Sequence, residues 1–274
     1  MSKIKIENKV VVITGASSGI GKALAYEFVK NKAKVSLAAR RIDRLENVKK
    51  DIEKAGGECF IVKTDVTKEE DCKNLIEKTV EHYGAVDMLI NNAGISMRAL
   101  FLNLDLDVIR KVMDVNFWGT VYCTKYALPY LLKQKGVIVG ISSIAGFHGL
   151  PGRTGYSASK FAIHGFLETI RIEYLKTGLH VMIIAPGFTS SEVRKHALNA
   201  KGQEQKETPR KEEKMMPSEK VAKILIKAIR NKKRNKILTL SGQIIALFQR
   251  ILPEQIDRLI YNEMAHEPDS PLEM

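Results

Sequence analysis

The chain has 274 residues, with 44 lysines and arginines against 31 aspartates and glutamates, a formal net charge of +13. No stretch reaches the ~18 consecutive apolar residues of a membrane-spanning helix, and residues 1–8 lack the apolar run of a secretory leader. Cys59, Cys72 and Cys123 are odd in number and scattered, which argues against a disulfide framework or a metal cluster and for reduced thiols in a cytoplasmic protein.

Taken in chain order, short apolar runs alternate with amphipathic segments. Residues 9–13, Lys-Val-Val-Val-Ile, are β-branched, too short for a helix and suited to a fully buried parallel strand. Further strands are predicted at 35–39, 59–63, 88–90, 137–141, 181–184 and 237–240. Helices are predicted at 20–30, 41–55, 68–83, 105–132, 156–176 and 218–231. Such alternation implies an α/β fold, a parallel sheet with helices on both faces. Residues 190–216 break the pattern with a polar stretch rich in Lys and Glu. Beyond residue 240 the chain turns apolar again, with Ile244, Ile245, Leu247, Phe248, Ile251 and Leu252.

Two local patterns carry chemistry. The first strand runs into Thr14-Gly15-Ala16-Ser17-Ser18-Gly19-Ile20-Gly21 and then a helix, a layout that places a pyrophosphate on backbone N–H groups at a helix start. Its spacing is Gly-x-x-x-Gly-x-Gly rather than the common Gly-x-Gly-x-x-Gly, and no Lys-Ser/Thr pair follows to make a Walker loop. The second is Tyr156-x-x-x-Lys160, on one helix face, with Ser143 upstream. A phenol titrates near ~10 when unperturbed, and a neighbouring ammonium is expected to lower it into the range of a general acid or base. A serine hydroxyl nearby would hold a substrate oxygen, with Ser142 as the alternative to Ser143.

Together with Asp65-Val66, Asn91-Asn92-Ala93-Gly94, Asn116 and Pro186-Gly187, in this order, these motifs resemble the short-chain dehydrogenase/reductase family from about residue 8 to residue 240. The resemblance implies a Rossmann-like, doubly wound sheet of order 3-2-1-4-5-6 extended by a seventh strand. It also implies a catalytic domain at 1–240, with residues 188–216 as a substrate lid. Tyr156 would be the proton donor or acceptor, and Lys160 would lower its pKa and bind the nicotinamide ribose. Ser143 would bind the substrate oxygen, and Asn116 would hold a water linking Lys160 to solvent. The cofactor would lie on Gly15, Ser17, Ser18, Gly19, Ile20 and Gly21. Asp65 would accept from the adenine amino group, Val66 would back the ring, and Asn92, Ala93 and Gly94 would wall the ribose. Pro186 and Gly187 would face the nicotinamide, and Ser191, with Thr189 and Ser190 as rivals, would touch its carboxamide or the pyrophosphate.

Cofactor choice follows from charge. Where relatives that prefer NAD carry an acidic residue at the end of the second strand, this chain has Ala39, followed by Arg40 and Arg41. An arginine can grip a 2′-phosphate with paired N–H donors, so NADP is the expected cofactor. The substrate is expected to be a hydrophobic carbonyl or alcohol. Alternatives are a lipid-ketone reductase working at a membrane surface and a non-catalytic sensor of the NADP redox state. Residues 241–274 are read as a contact to a partner subunit or a peripheral membrane contact. The apolar faces of the helices at 105–132 and 156–176 imply a homodimer or homotetramer. The basic excess near Lys227, Arg230, Lys232, Lys233, Arg234 and Lys236 lacks interleaved aromatics, so it is assigned to solvated helix faces rather than nucleic-acid binding.

Overall fold

The computed structural model describes residues 3–190, 192–194, 196–205, 215–267 and 270–272. The first half alternates strand and helix: β1 (Val10–Thr14), α1 (Gly19–Lys30), β2 (Lys34–Ala39), α2 (Ile42–Lys54), β3 (Cys59–Lys63), α3 (Glu69–Tyr83) and β4 (Met88–Asn91). Next come α4 (Leu106–Met113), α5 (Gly119–Gln134), β5 (Val137–Ile141), α6 (Thr154–Glu173) and β6 (His180–Ala185). The chain closes with β7 (Thr189–Ser190), β8 (Met216–Pro217), α7 (Ser218–Arg230), β9 (Asn235–Ile237), α8 (Leu240–Phe248) and α9 (Pro253–Ala265).

Seven strands form one parallel sheet in the order β3-β2-β1-β4-β5-β6-β9, as the alternation and the family resemblance led one to expect. Successive strand residues face opposite sides, so β1 feeds two cores at once. Val11 and Ile13 pack with Leu24, Phe28, Leu225 and Ile229 on one face. Val12 packs with Leu75, Ile76, Leu131 and Leu167 on the other. Burial on both sides is why β1 reads as an unbroken apolar run. The strand order reverses between β1 and β4, and the crevice beyond the carboxyl ends of these strands is where such sheets bind ligands.

The helix predicted over 105–132 is interrupted. Asp114–Trp118 form a π-helical turn between α4 and α5, and this turn carries Asn116. Within the lid region, β7 pairs with β8, and Leu198 bridges to Met97 in the loop after β4. The C-terminal extension folds back on its own chain. Ile245, Ile256, Ile260 and Met264 are buried against Ile144, Leu150 and Leu272. His148 ties the same region down, its Nε2 2.9 Å from Asp257 Oδ1 and its Nδ1 3.2 Å from Gln249 Oε1. The outer face of the extension keeps Leu240, Leu247 and Ile251 exposed. No helix among the described residues is long and apolar enough to cross a membrane.

Candidate active site

The glycine turn is built by close approach. Gly15 and Gly19 take left-handed backbone, with φ of +65° and +52°. A Cβ on Gly21 would lie 2.3 Å from the Gly15 carbonyl oxygen and 2.5 Å from Asn92 Nδ2, so only glycine lets α1 start this near the end of β4. Asn92 Nδ2 donates to the Thr14 carbonyl at 2.8 Å, and Thr14 Oγ1 accepts from the backbone N–H groups of Asn92 and Ala93, both at 3.0 Å. Ser18 at the start of α1 makes no side-chain cap, and the first turn holds no acidic residue. Its N–H donors therefore suit an anion.

A cleft of about 730 Å³ runs from this turn to Tyr156. Its nucleotide end gathers Gly15, Ser17, Ser18, Gly19, Ile20, Arg40, Arg41, Asp65, Val66, Asn92, Ala93 and Gly94. Pro186 and Gly187 line it further along, with Ser143, Tyr156 and Lys160. Gly21 and Asn116 stand behind the wall as supports, and Ser191 lies outside the described residues. Arg41 Nη2 reaches Ser17 Oγ and Ser18 Oγ, each at 3.4 Å. It also pairs with Glu192 at 3.3 Å, and Arg44 meets the same carboxylate at 2.8 Å. Burial pushes the Glu192 carboxyl up, but the charges of Arg44 and Arg41 more than offset it and hold it below its usual range. Asp65 Oδ1 accepts from Thr67 N and Oγ1 at 3.1 and 2.9 Å, and Val66 packs so tightly on α5 that a Cβ on Gly119 would come within 2.8 Å of it. Helix-start donors, flanking cations and an elongated cleft fit a phosphate-bearing dinucleotide.

At the other end, β5 stops at Ile141 and the next two serines part ways. Ser142 turns inward, its Oγ 2.8 Å from His164 Nε2, whereas Ser143, whose Oγ accepts from Ala145 N at 3.3 Å, lines the cleft with the Tyr156 phenol. Lys160 is buried, its Nζ donating to the Ile141 carbonyl at 2.9 Å and lying 5.6 Å from the centre of the Tyr156 ring. Burial lowers its pKa to about 8. Asn116 receives a bond from Ile95 N at 2.8 Å and donates to the Ile95 carbonyl and to Ser159 Oγ at 3.0 and 2.9 Å. These bonds lock the loop after β4 onto α6.

The phenol departs from the sequence expectation. Its pKa is raised, because burial outweighs the opposing pulls of the Ser143 hydroxyl and of the Arg153 and Arg194 charges. Arg153 and Arg194 thus favour its ionised form in addition to the Lys160 ammonium, whose Nζ lies 5.6 Å from the centre of the ring. Neither arginine belongs to a motif, so nothing in the sequence pointed to them. The same holds for Arg44 and Ser159, and the part Thr14 plays within its motif likewise comes from contacts between distant segments. Ile260 and Met264 of α9 also line the cleft, which brings the C-terminal extension into the site.

Comparison with known proteins accords with this geometry. The 11-beta-hydroxysteroid dehydrogenase-like 2 of Arabidopsis thaliana is 44% identical over 190 residues, 69% of this chain and 61% of that protein. The 11-beta-hydroxysteroid dehydrogenase A of Arachis hypogaea is 43% identical over 201 residues, 72% of this chain and 57% of that protein. The chain thus spans roughly three-fifths of the length of these relatives. Among solved structures, an alcohol dehydrogenase from the archaeon Thermococcus sibiricus, complexed with 5-hydroxy-NADP, is 26% identical with a TM-score of 0.75, covering 85% of this chain and 95% of that one. A short chain dehydrogenase/reductase from Burkholderia phymatum, in complex with NAD, shares the fold at a TM-score of 0.81 and 23% identity, over 99% and 100% of the two chains. The family model described as short chain dehydrogenase matches residues 9–202, which hold the glycine turn, Ser143, Tyr156 and Lys160, and the chain accordingly belongs to the short-chain dehydrogenase family.

Proposed function

We propose that the chain is an NADP-dependent dehydrogenase or reductase acting on a hydrophobic carbonyl or alcohol. One observation carries this reading: Ser143, the Tyr156 phenol and Lys160 converge at the end of the cleft, with Lys160 Nζ 5.6 Å from the centre of the phenol ring. When bound, the nicotinamide supplies or accepts the hydride. Tyr156 gives the proton to the substrate oxygen in reduction and takes it in oxidation, while Ser143 holds that oxygen in place. Lys160, oriented by the Ile141 carbonyl, meets the ribose hydroxyls. Asn116 Oδ1 and Lys160 Nζ flank the same point at Gly94, 3.2 and 3.6 Å from where a Cβ would sit, which supports a water held between them. Ala39 and Arg40 support the choice of NADP, since a strand end that carries an arginine and no acidic residue of its own accommodates a 2′-phosphate, while Arg41 is paired with Glu192. The names of the plant relatives make bulky ring alcohols and ketones the first substrates to try.

Exposed Trp118, Phe161, Ile172 and Leu175 on α5, on α6 and beside them support a homodimer or homotetramer in a cytoplasmic protein. Leu240, Leu247 and Ile251, exposed beside Arg250, favour a second reading, a lipid-ketone reductase with a peripheral membrane contact. A panel of ring, aliphatic and long-chain ketones followed by NADPH and NADH absorbance tests both, with the long-chain ketones repeated on liposomes. The expected result is turnover with NADPH that Tyr156→Phe abolishes while NADP binding persists. Near-normal turnover by that variant removes Tyr156 from the reaction, and tight NADP binding without turnover on any carbonyl points to a redox sensor.

A further inference from the structure

Beyond α9 the chain places a carboxylate beside the catalytic helix. The side chain of Glu267 is 2% exposed and pairs with Arg98 Nη2 at 3.7 Å and Arg153 Nη2 at 3.6 Å. Those two arginine side chains are themselves only 8% and 7% exposed. The turn that presents the carboxylate is held by Ser270, whose Oγ donates to the Met264 carbonyl at 2.8 Å and whose N–H donates to the Glu267 carbonyl at 3.1 Å. Pro271 seals it, lying 3.0 Å from where a Cβ on Gly152 would be. Charges this far from water persist only when they answer one another, so each group here depends on the others.

The two arginines belong to the two loops that carry the chemistry. Arg153 immediately precedes α6, one helical turn before Tyr156, and its Nη1 also reaches Ser96 Oγ and the Met97 carbonyl, both at 3.5 Å. Arg98 follows the stretch whose Ile95 backbone holds Asn116. Glu267 therefore braces both sides of the site from behind. We propose that Glu267 is a positioning residue for proton transfer at Tyr156, acting through Arg153; this rests on the reading of Tyr156 as the acid–base group.

The Arg153 charge favours the ionised phenol against burial. Holding that guanidinium in a nearly dry place takes a matching carboxylate. The other charged groups that line the cleft are Lys160 on α6, Arg194, His196 and Glu204 after β7, Lys111 on α4 and Glu263 on α9.

Ultraviolet titration of the phenolate in cofactor-free protein tests the idea, each variant being read against its own Tyr156→Phe counterpart. Glu267→Ala and Arg153→Met are each expected to raise the midpoint by about one unit, the lower end of what an opposite charge near a titrating group contributes. The double variant should rise no further than the larger single change. Glu267→Gln, which keeps the side-chain size, should shift the same way and serves if the alanine variant does not fold. Arg98→Met should lower the melting temperature yet leave the midpoint in place. The low-pH limb of kcat/KM for alcohol oxidation, where the required phenolate is lost, should move with the phenolate midpoint. An unmoved midpoint in the Glu267 variants overturns the proposal even when Tyr156→Phe abolishes turnover, since Glu267 would then serve stability alone. A downward shift overturns it too, because Glu267 would then act as a bare negative charge. An equal shift in Arg98→Met makes the effect one of general undocking and has the same consequence. Full turnover by Tyr156→Phe removes the acid–base reading itself and the proposal with it.

Discussion

His164 sits on α6 under the catalytic strand, only 9% exposed, with Nε2 2.8 Å from Ser142 Oγ and its ring edge-on to Phe147. Burial, reinforced by the charges of Lys160 and Arg171, lowers its pKa from 6.5 to about 4. Above pH 6.5 the ring is neutral in both folded and unfolded chains, so it adds no pH dependence. Between that value and about 4 the unfolded chain takes up a proton that the folded chain refuses, and stability falls by about 1.4 kcal/mol per pH unit. Going from about pH 7.5 to about pH 5 should therefore remove about 2 kcal/mol through this one residue, and the loss levels off near 3 kcal/mol below pH 4. Urea unfolding of the wild type and of His164→Gln at those two pH values isolates the term, because other histidines contribute equally to both proteins. The variant is expected to be less stable at the higher pH, having lost a fitted ring, but flatter by about 2 kcal/mol over the interval. Parallel pH dependence in the two proteins would refute the assignment of a buried, neutral ring.

Further outcomes follow from the nucleotide end and the outer surface. Arg40→Ala should weaken NADP by about 1.5–3 kcal/mol, the range for hydrogen bonds to a charged group, and leave NAD nearly unchanged in fluorescence titrations; equal losses would show that Arg40 does not read the 2′-phosphate. Gly21→Ala, despite its better helix propensity, should cost about 1–3 kcal/mol and weaken cofactor binding, since its Cβ would press on backbone 2.3 Å away. A melting temperature at or above that of the wild type would contradict this. Activity should decline as pH rises through about 8, where Lys160 loses its charge, and a rate constant level beyond that point would argue against a cationic Lys160 in turnover. Light scattering at micromolar concentration should give a dimer or larger, and a fully active 30.7 kDa monomer would exclude the α5–α6 interface.

How far the sequence could be read depended on the range of the contacts concerned. Strands such as β1 and β5 announce themselves, because burial on both faces demands a run without polar interruption, rich in Val and Ile. The glycine turn was legible for the same local reason: left-handed backbone and close approach leave few residue choices. Spacing to Tyr156 favoured Ser143 over Ser142, but the physical reason lies in the fold: β5 ends at Ile141, and His164, on another element, takes Ser142. The raised pKa of Tyr156 was missed because the motif names only favourable neighbours, while burial, which no motif shows, outweighs the lowering pulls on the phenol. Glu267 is the extreme case. A glutamate seven residues from the end of the chain reads as solvated, and only the fold reveals two arginines waiting for it.

The π-turn at Asp114–Trp118 acts as a phase shifter. In an unbroken α-helix each residue advances about 100°, so Val112 and Cys123, about three turns apart, would project from the same side. Yet Val112 packs with Leu104, Val108 and Leu198, whereas Cys123 packs with Leu75, Ile138 and Leu167 against the sheet. Widening one turn retards the rotation, letting a single run of helix serve two cores that do not share a plane. Deleting one residue there would restore an ideal helix and swing either α4 or α5 out of its core, carrying Asn116 away from Ile95 and Ser159. Substitutions at the exposed Asp114 should be tolerated where a one-residue deletion is not.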